Sequence, residues 1–145
     1  MVANSSIGVL DASVAVRWIA REQGSEAALA LLAEGGPWVA PRLLVTEVSS
    51  ALRRKAVAAD ISAASALDGL ATLIAIIGSG AITLADDELL IERALQLSLH
   101  HRHPVADCLY LALAERSSVP IVTADRDLAK LAIANGIQVT PVGSD

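Results

Sequence analysis

Short runs of apolar and β-branched residues alternate along the chain with longer stretches in which apolar residues recur at helical spacing. The short runs occupy residues 7–10, 38–40, 81–84, 121–123 and 137–140, and the longer stretches occupy residues 14–20, 25–34, 43–59, 62–77, 86–100, 105–116 and 126–135. The first pattern predicts buried strands and the second predicts helices. Short strands that alternate with longer helices are typical of a parallel sheet covered on both faces, so we predict a three-layer α/β/α fold.

Residues that commonly begin or end helices support these boundaries. Residues 35–37 (Gly-Gly-Pro) end the second helical stretch, and Gly136 ends the last one. Pro41 suits the first turn of the long helix that follows it. Either Asp60 or Ser62 is expected to cap the next helix.

The length and composition of the chain indicate one globular domain over residues 1–145. A chain of 145 residues can bury a core without disulfides, and with Cys108 as its one cysteine it can form no internal disulfide. Residues 1–6 lack the features of a secretion signal, and glycines interrupt the longest apolar stretch, residues 69–85. We therefore expect a cytoplasmic protein with no membrane span.

The charge and hydropathy of the chain constrain its partners. Hydrophobic residues make up 54% of the sequence and charged residues only 19%, so protein partners could cover part of the surface. The net charge of −5 argues, taken alone, against a nucleic-acid ligand. If four of the sixteen acids bind one or two divalent cations, the net charge rises to −3 or −1, and bulk charge then decides little.

Two aspartates follow predicted strands at the edge where parallel sheets bind ligands. Asp11 comes directly after residues 7–10, and Asp125 comes shortly after residues 121–123. The carboxyl ends of parallel strands meet at one edge, so both side chains are expected at the same cleft. Each aspartate could equally be the cap of the helix that follows it.

Two further acids stand on apolar helix faces. Helical spacing places Glu47 on one face with Leu43 and Ala51, and it places Asp107 on one face with Tyr110. Burying an isolated carboxylate costs several kcal/mol, so such acids usually have a partner. The partner could be an arginine or a capping contact, but a shared metal would satisfy all four acids together.

The types of ligand in this group indicate a hard cation. Four carboxylates with no histidine or cysteine among them suit Mg²⁺ or Mn²⁺, which keep several waters and also bind substrate phosphates. Such ions polarise phosphoryl groups and activate water, so phosphodiester hydrolysis is the expected reaction class.

Three segments resemble the PIN-domain family, and the resemblance extends from Ile7 to about Pro141. The segments are residues 9–13 (Val-Leu-Asp-Ala-Ser), residues 41–47, and residues 103–114 followed by residues 122–125. The short length and the long helical pair over residues 43–77 look most like the VapC toxins, which are RNases of bacterial toxin–antitoxin pairs. The resemblance implies a mostly parallel five-stranded sheet, dependence on Mg²⁺ or Mn²⁺, endonucleolytic RNA cleavage, inhibition by a small antitoxin, and a homodimer.

The resemblance also assigns residues. It places the metal-binding and catalytic acids at four positions, namely Asp11, Glu47, Asp107 and Asp125. It places a hydroxyl beside the first acid at Ser13, a hydroxyl behind the acids at Thr123 and an outer acid at Asp127. Ser13 could equally be a helix cap, and the two roles are compatible. The sparse basic residues depart from what RNA binding requires. The apolar helical pair over residues 43–77 is the predicted contact for an antitoxin.

Other chemically notable residues have plainer interpretations. The basic residues 53–55 (Arg-Arg-Lys) could touch phosphates, but a solvated helix face is the favoured interpretation, and the roles of Arg17, Arg21 and Arg42 stay open. The histidines His100, His101 and His103 are expected in a surface loop. We expect Cys108, Trp18 and Trp38 to be core or interface residues.

Two other functions compete with the nuclease hypothesis. A phosphoryl-accepting domain also places an aspartate after a strand, but Ser13 stands where a dehalogenase-like site needs a second aspartate, and a receiver needs a lysine after a late strand. Neither Lys55 nor Lys130 meets that need. A non-catalytic module that uses the same fold to bind RNA or protein is the other alternative.

Overall fold

The computed structural model describes residues 6–20 and 25–143, and the descriptions below apply to them. The strands are β1 (Val9–Leu10), β2 (Trp38–Pro41), β3 (Ile82–Ala85), β4 (Ile121–Thr123) and β5 (Val139–Pro141). The helices are α1 (Ala12–Ile19), α2 (Ser25–Ala33), α3 (Leu43–Val57), α4 (Ala63–Gly78), α5 (Ile91–His101), α6 (Val105–Ser117) and α7 (Arg126–Ala134). A short 3₁₀ turn, Asp87–Leu89, precedes α5.

The five strands form one parallel sheet in the order β3-β2-β1-β4-β5. Val9 in the central strand pairs with Val39 on one side and with Ile121 on the other. The chain adds strands outward in one direction from β1 to β3 and then returns to the other side of β1 for β4 and β5. The three-layer α/β/α fold with a mostly parallel five-stranded sheet is thereby confirmed, and every strand pair in it is parallel.

The core consists of aliphatic side chains from the sheet and from both helical layers. Helices α1 to α4 pack on one another, α5 packs on α6, and α7 packs on β4 and β5. Cys108, Trp18 and Trp38 are buried in this core, as predicted, and the rings of the two tryptophans lie 5.1 Å apart. None of the described helices is long and apolar enough to cross a membrane.

Several predicted boundaries differ from the observed ones. Pro41 does not begin α3 but ends β2, where it pairs with Ala85. Proline lacks the N–H that an interior helix position needs, yet it can close a strand whose carbonyl still accepts. The predicted helix over residues 86–100 divides into the turn Asp87–Leu89 and α5. Of the two cap candidates, Ser62 caps α4, and its hydroxyl accepts a hydrogen bond from the Ser65 N–H at 3.0 Å.

The topology brings distant parts of the chain to one edge of the sheet. Strands β1 and β4 are neighbours, and each leads directly into a helix, α1 or α7. Helix α3 follows β2, which is the other neighbour of β1. Because parallel strands end at the same edge, the residues after β1, β2 and β4 lie near one another.

Candidate active site

A cleft of about 420 Å³ opens at this edge of the sheet, and it collects all four predicted acids. Its walls come from the start of α1, one face of α3, the start of α6 and the residue that precedes α7. The lining residues are Asp11, Ala12, Ser13, Val16, Arg17, Glu47, Ala51, Arg54, Lys55, Asp107 and Asp125. The acids thus converge although 114 positions separate the first from the last.

Asp11 is the most buried of the four acids, with 6% of its surface exposed. It occupies the N-cap position of α1, but its side chain makes no capping hydrogen bond. Instead its Oδ2 accepts hydrogen bonds from the Ser13 hydroxyl at 2.6 Å and from the Thr123 hydroxyl at 2.9 Å. Burial raises the pKa of Asp11, the two hydroxyls oppose that rise, and the negative charges of Asp125 and Asp107 add to it.

Two hydroxyl groups connect the first strand-end acid to the last. The Ser13 Oγ accepts a hydrogen bond from the Ala124 N–H at 3.0 Å, and the Thr123 Oγ1 accepts one from the Asp125 N–H at 2.9 Å. Ser13 is the second residue of α1, so it is not a helix cap. These bonds lock the turn after β1 against the turn after β4 and fix the orientation of Asp11.

Glu47 is held on α3 by a buried tyrosine of α6. The Tyr110 hydroxyl donates a hydrogen bond to Glu47 Oε1 at 2.6 Å. Burial raises the pKa of Glu47, the bond from Tyr110 lowers it, and the charges of Asp11, Asp107 and Asp87 raise it. Burial and the charges of Asp11 and Glu47 raise the pKa of Tyr110 well above its usual value, so its phenol stays protonated and remains a donor.

Asp107 lies in the first turn of α6 and contacts a histidine one turn earlier. The His103 Nε2 lies 2.7 Å from Asp107 Oδ2. His103 lies in the connection between α5 and α6, as predicted, but it is half-buried, and it contacts Asp107 without lining the cleft itself. The other two histidines end α5, and the His101 Nε2 lies 3.1 Å from the Asn135 Oδ1.

Asp125 performs the capping role that the sequence left open. Its Oδ1 accepts hydrogen bonds from the backbone N–H groups of Asp127 at 2.9 Å and Leu128 at 3.2 Å, at the start of α7. The Asp127 side chain is exposed and is not among the residues that line the cleft. Asp127 therefore reaches the site through its backbone amide.

The four carboxylates share one pattern of hydrogen bonding. In each, one oxygen lies within hydrogen-bond distance of a side-chain or backbone group: Oδ2 of Asp11, Oε1 of Glu47, Oδ2 of Asp107 and Oδ1 of Asp125. These contacts fix the orientation of the four carboxylates. Arg42 and Arg93 pair with Asp86 and Glu115, which do not line the cleft.

This pattern allows a direct test of whether a cation fits. Across residues 6–20 and 25–143, no three histidine, cysteine, aspartate or glutamate side chains form a ready-made chelating group. The site is therefore not an all-protein cage. Mg²⁺ rarely needs one, because it keeps several waters and takes one or two carboxylates together with phosphate oxygens. Four oriented carboxylates around one cleft fit that mode of binding.

A basic wall lines the same cleft as the acids. It consists of Arg17 from α1 and of Arg54 and Lys55 from the last turns of α3. The Arg17 guanidinium donates a hydrogen bond to the Ser13 carbonyl. Arg53 is exposed and does not line the cleft, Arg42 pairs with Asp86, and Arg21 lies outside the described residues.

Comparison with known proteins identifies the family. Residues 8–134 match the PIN domain family, so the chain belongs to that family, as its sequence predicted. No curated protein matches it significantly. The crystal structure of PAE2754 from Pyrobaculum aerophilum is similar, with a TM-score of 0.71 and 19% identity over 94% of this chain and 85% of that chain. A toxin-antitoxin complex from Klebsiella pneumoniae contains a chain with a TM-score of 0.59 and 13% identity, over 84% of this chain and 89% of that chain. These two likenesses show a shared fold.

Sequence reasoning missed three contributors to the cleft. Tyr110 carried a signal, because it lies three residues after Asp107 on the same helix face and is the only tyrosine of the chain. His103 carried a weaker signal: it lies four residues before Asp107, but Pro104 interrupts the helical pattern between them. The sequence could not show which bases line the cleft. Positions 53, 54 and 55 are all basic, and only the direction in which α3 orients each side chain distinguishes them.

Proposed function

We propose that this protein is an endoribonuclease that depends on Mg²⁺ or Mn²⁺ and acts as the toxin of a toxin–antitoxin pair, with all of residues 1–145 in one nuclease domain. The observation that carries the proposal is the convergence of four carboxylates in one cleft, each oriented by a hydrogen bond. Membership of the PIN family supports it, because PIN domains are generally nucleases.

Asp11, Glu47, Asp107 and Asp125 would hold the cation. The chemistry that Mg²⁺ or Mn²⁺ supplies when bound is polarisation of a phosphodiester and acidification of water. The protein's part is to position the acids: Ser13 and Thr123 orient Asp11, and Tyr110 orients Glu47. Because Asp11 is buried and Glu47 is half-buried, their charges would act on a bound cation more strongly than they would in water.

The nuclease proposal is tested with purified protein, freed of any partner and incubated with total cellular RNA in EDTA, in Mg²⁺ and in Mn²⁺. We expect cleavage only with a divalent cation. Asp11→Asn and Asp107→Asn should each lose more than about 100-fold in rate, beyond the 10- to 100-fold loss that is usual for groups that only support a metal ligand. Asp68→Asn, which makes the same charge change at an exposed position of α4, should cleave like the wild type.

Full cleavage by either site variant, or equal cleavage in EDTA, would refute the assigned site. Binding of RNA with no turnover under any of these conditions would instead favour the non-catalytic alternative. Because the acids are a functional need rather than a structural one, circular dichroism should show both site variants folded.

The toxin part of the proposal is supported by the fold that this chain shares with the chain in the Klebsiella pneumoniae toxin-antitoxin complex. The pair α3 and α4 also exposes large apolar side chains, at Val57, Leu67 and Ile74, where an antitoxin could bind.

The proposal includes a homodimer and a cytoplasmic location. Co-expression with the small protein encoded next to it should give a complex in which RNA cleavage is suppressed, and sedimentation should give twice the chain mass for the protein alone.

A further inference from the structure

Charges of opposite sign are segregated along the cleft-facing side of α3. Glu47, Ala51, Arg54 and Lys55 all line the cleft, and their spacing of four, seven and eight residues is that of one helix face. The acid stands near the start of the helix and the bases stand near its end. The small side chain of Ala51 between them leaves the cleft open from one to the other.

The distance along the helix separates two positions for a ligand. Seven or eight residues correspond to about 11 Å along a helix axis. Long helical side chains lean back toward the N-terminus, so Arg54 and Lys55 extend along the cleft toward Glu47 from helix positions about 11 Å away. A phosphate group held by the bases is therefore a different one from the phosphate held at the acids.

The charge of the cleft supports an anionic ligand. Three bases against four acids give the lining residues a formal charge of −1, and one divalent cation brings it to +1. The other residues of the chain carry a net charge of −4, so a cleft that holds one divalent cation is positive while the remainder is negative. A cation-loaded cleft therefore attracts a polyanion that the rest of the molecule, on balance, repels.

We propose that Arg54 and Lys55 of α3, with Arg17 of α1, form a subsite for a backbone phosphate of single-stranded RNA next to the phosphate that is cleaved. The inference rests on the proposed function and specifies how an acidic nuclease holds its substrate. The subsite sets the register of the RNA, because it fixes one phosphate while the acids receive another. It reads no base, so it adds affinity without sequence preference.

A simpler explanation of the two bases is that they stabilise the end of α3. Basic residues in the last turn of a helix interact favourably with its carbonyl end. That explanation accounts for basic residues at positions 53, 54 and 55 alike. It does not predict any difference between Arg53, which faces away from the cleft, and Arg54, which lines it, and this difference provides the test.

The test compares Arg54→Ala with Arg53→Ala, two variants with the same charge change at adjacent positions of the same helix. The probe is a short fluorescein-labelled single-stranded RNA that the wild type cleaves. We expect Arg54→Ala to raise KM several-fold with little change in kcat, and Arg53→Ala to behave as the wild type. Binding of the same RNA by fluorescence anisotropy, with Ca²⁺ in place of Mg²⁺, should show the same difference between the two variants. For Arg54→Ala, the slope of log Kd against log salt concentration should be smaller by about 0.7, the value for one lost phosphate contact.

A walk of single methylphosphonates along the RNA locates the contact. Removing the charge of one phosphate should weaken binding by the wild type and by Arg53→Ala, and it should weaken binding by Arg54→Ala less, because only Lys55 and Arg17 then contact that phosphate. A role of Arg54 in helix stability alone would not produce such a position-specific coupling.

The outcomes separate the subsite from the nuclease proposal. Cleavage by the wild type with equal KM and equal binding for the two variants overturns the subsite and leaves the nuclease intact. If the wild type cleaves no RNA, the nuclease proposal fails, and the anisotropy comparison with the same RNA, uncleaved, still decides the subsite. Equal loss of binding in both variants indicates general charge and also overturns it.

Discussion

Tyr110 shows how one residue can influence the ionisation and orientation of another, in this case Glu47. It is buried, its hydroxyl donates to Glu47 Oε1, and it lies on the same helix as Asp107. The hydroxyl satisfies one oxygen of Glu47 and fixes the orientation of its carboxylate. Because Glu47 sits among other acids, losing this donor makes its ionised form less favourable.

We predict that Tyr110→Phe weakens metal binding and lowers RNA cleavage by about 10- to 100-fold, as is usual when a group that orients a metal ligand is removed. It should also destabilise the protein by about 1 to 3 kcal/mol, because a buried carboxylate oxygen loses its donor. Isothermal titration with Mn²⁺ measures the first effect and urea unfolding the second.

A double-mutant cycle tests whether the two effects share one origin. Once Glu47→Gln has removed the carboxylate, Tyr110→Phe should change Mn²⁺ binding very little. An equal loss in both backgrounds would mean that Tyr110 acts through packing and would contradict the positioning role.

Individual residues could be read from the sequence where an acid interrupts an apolar pattern. Asp11, Glu47, Asp107 and Asp125 stood out because a charge within a buried strand end or helix face needs a reason. Tyr110 and His103 did not stand out, because aromatic and polar residues on such faces have many ordinary roles. Their function depends on which element packs opposite, and that is a property of the tertiary structure.

At the scale of elements, the contact between β1 and β4 depends on Gly8. Gly8 is buried directly before β1, its carbonyl accepts a hydrogen bond from the Val39 N–H, and the Val9 N–H donates to the Pro120 carbonyl. A Cβ atom at Gly8 would lie 2.6 Å from Val122 Cγ2 and 3.1 Å from the Pro120 oxygen. The two strands that carry Asp11 and Asp125 can approach each other because this side chain is missing.

We predict that Gly8→Ala destabilises the protein by about 1 to 3 kcal/mol, the usual cost of forcing an extra methyl group into a packed core. Gly78→Ala is the matched control, because its Cβ would meet nothing within 4 Å at the end of α4, where alanine also favours the helix. Urea unfolding should show the control at or slightly above wild-type stability. Equal stability of the two variants would show that the strands tolerate a wider spacing.

The sequence predicted the type of every element, but it located their ends less well. Apolar periodicity identified α3, α6 and β4 nearly to the residue, because each is long or strongly apolar. Residues 86–90 were assigned to a helix, since their acids suit a first turn. In the structure the Asp87 carboxylate instead accepts a hydrogen bond from the Leu43 N–H at 3.3 Å, a contact between elements that no local pattern encodes.

For the whole molecule, the buried acids make stability depend on pH. The folded protein holds Asp11 and Glu47 with pKa values raised above the ordinary 3.8 and 4.5, mainly through burial. A raised pKa means that the folded state binds these protons more tightly than the unfolded state does. Their contribution to stability is therefore complete below about pH 4 and is lost as the pH rises through the folded-state pKa values.

We predict that Asp11→Asn raises the Tm of the metal-free protein near neutral pH, with a difference that disappears below about pH 4. Each change of 1 kcal/mol in the free energy of unfolding shifts the Tm of a chain of this size by about 3 °C. Adding Mg²⁺ or Mn²⁺ should raise the Tm of the wild type and leave the variant unchanged. Differential scanning fluorimetry in EDTA and in Mg²⁺, over a series of pH values, measures both effects.

Asp68→Asn again serves as the control, because it makes the same charge change at an exposed position. It should follow the wild type at every pH and with every cation. A lower Tm for Asp11→Asn in EDTA near neutral pH would show that the hydrogen bonds from Ser13 and Thr123 outweigh the cost of burying the charge.

The order of the strands has a consequence for how the protein is made. The hydroxyl groups of Ser13 and Thr123 lie 3.3 Å apart although 110 positions separate them in the chain. A ribosome has therefore synthesised most of the polypeptide before the two sides of the cleft can meet. Chains that stop before β4 lack Thr123 and Asp125, so they would not have the activity proposed for this protein.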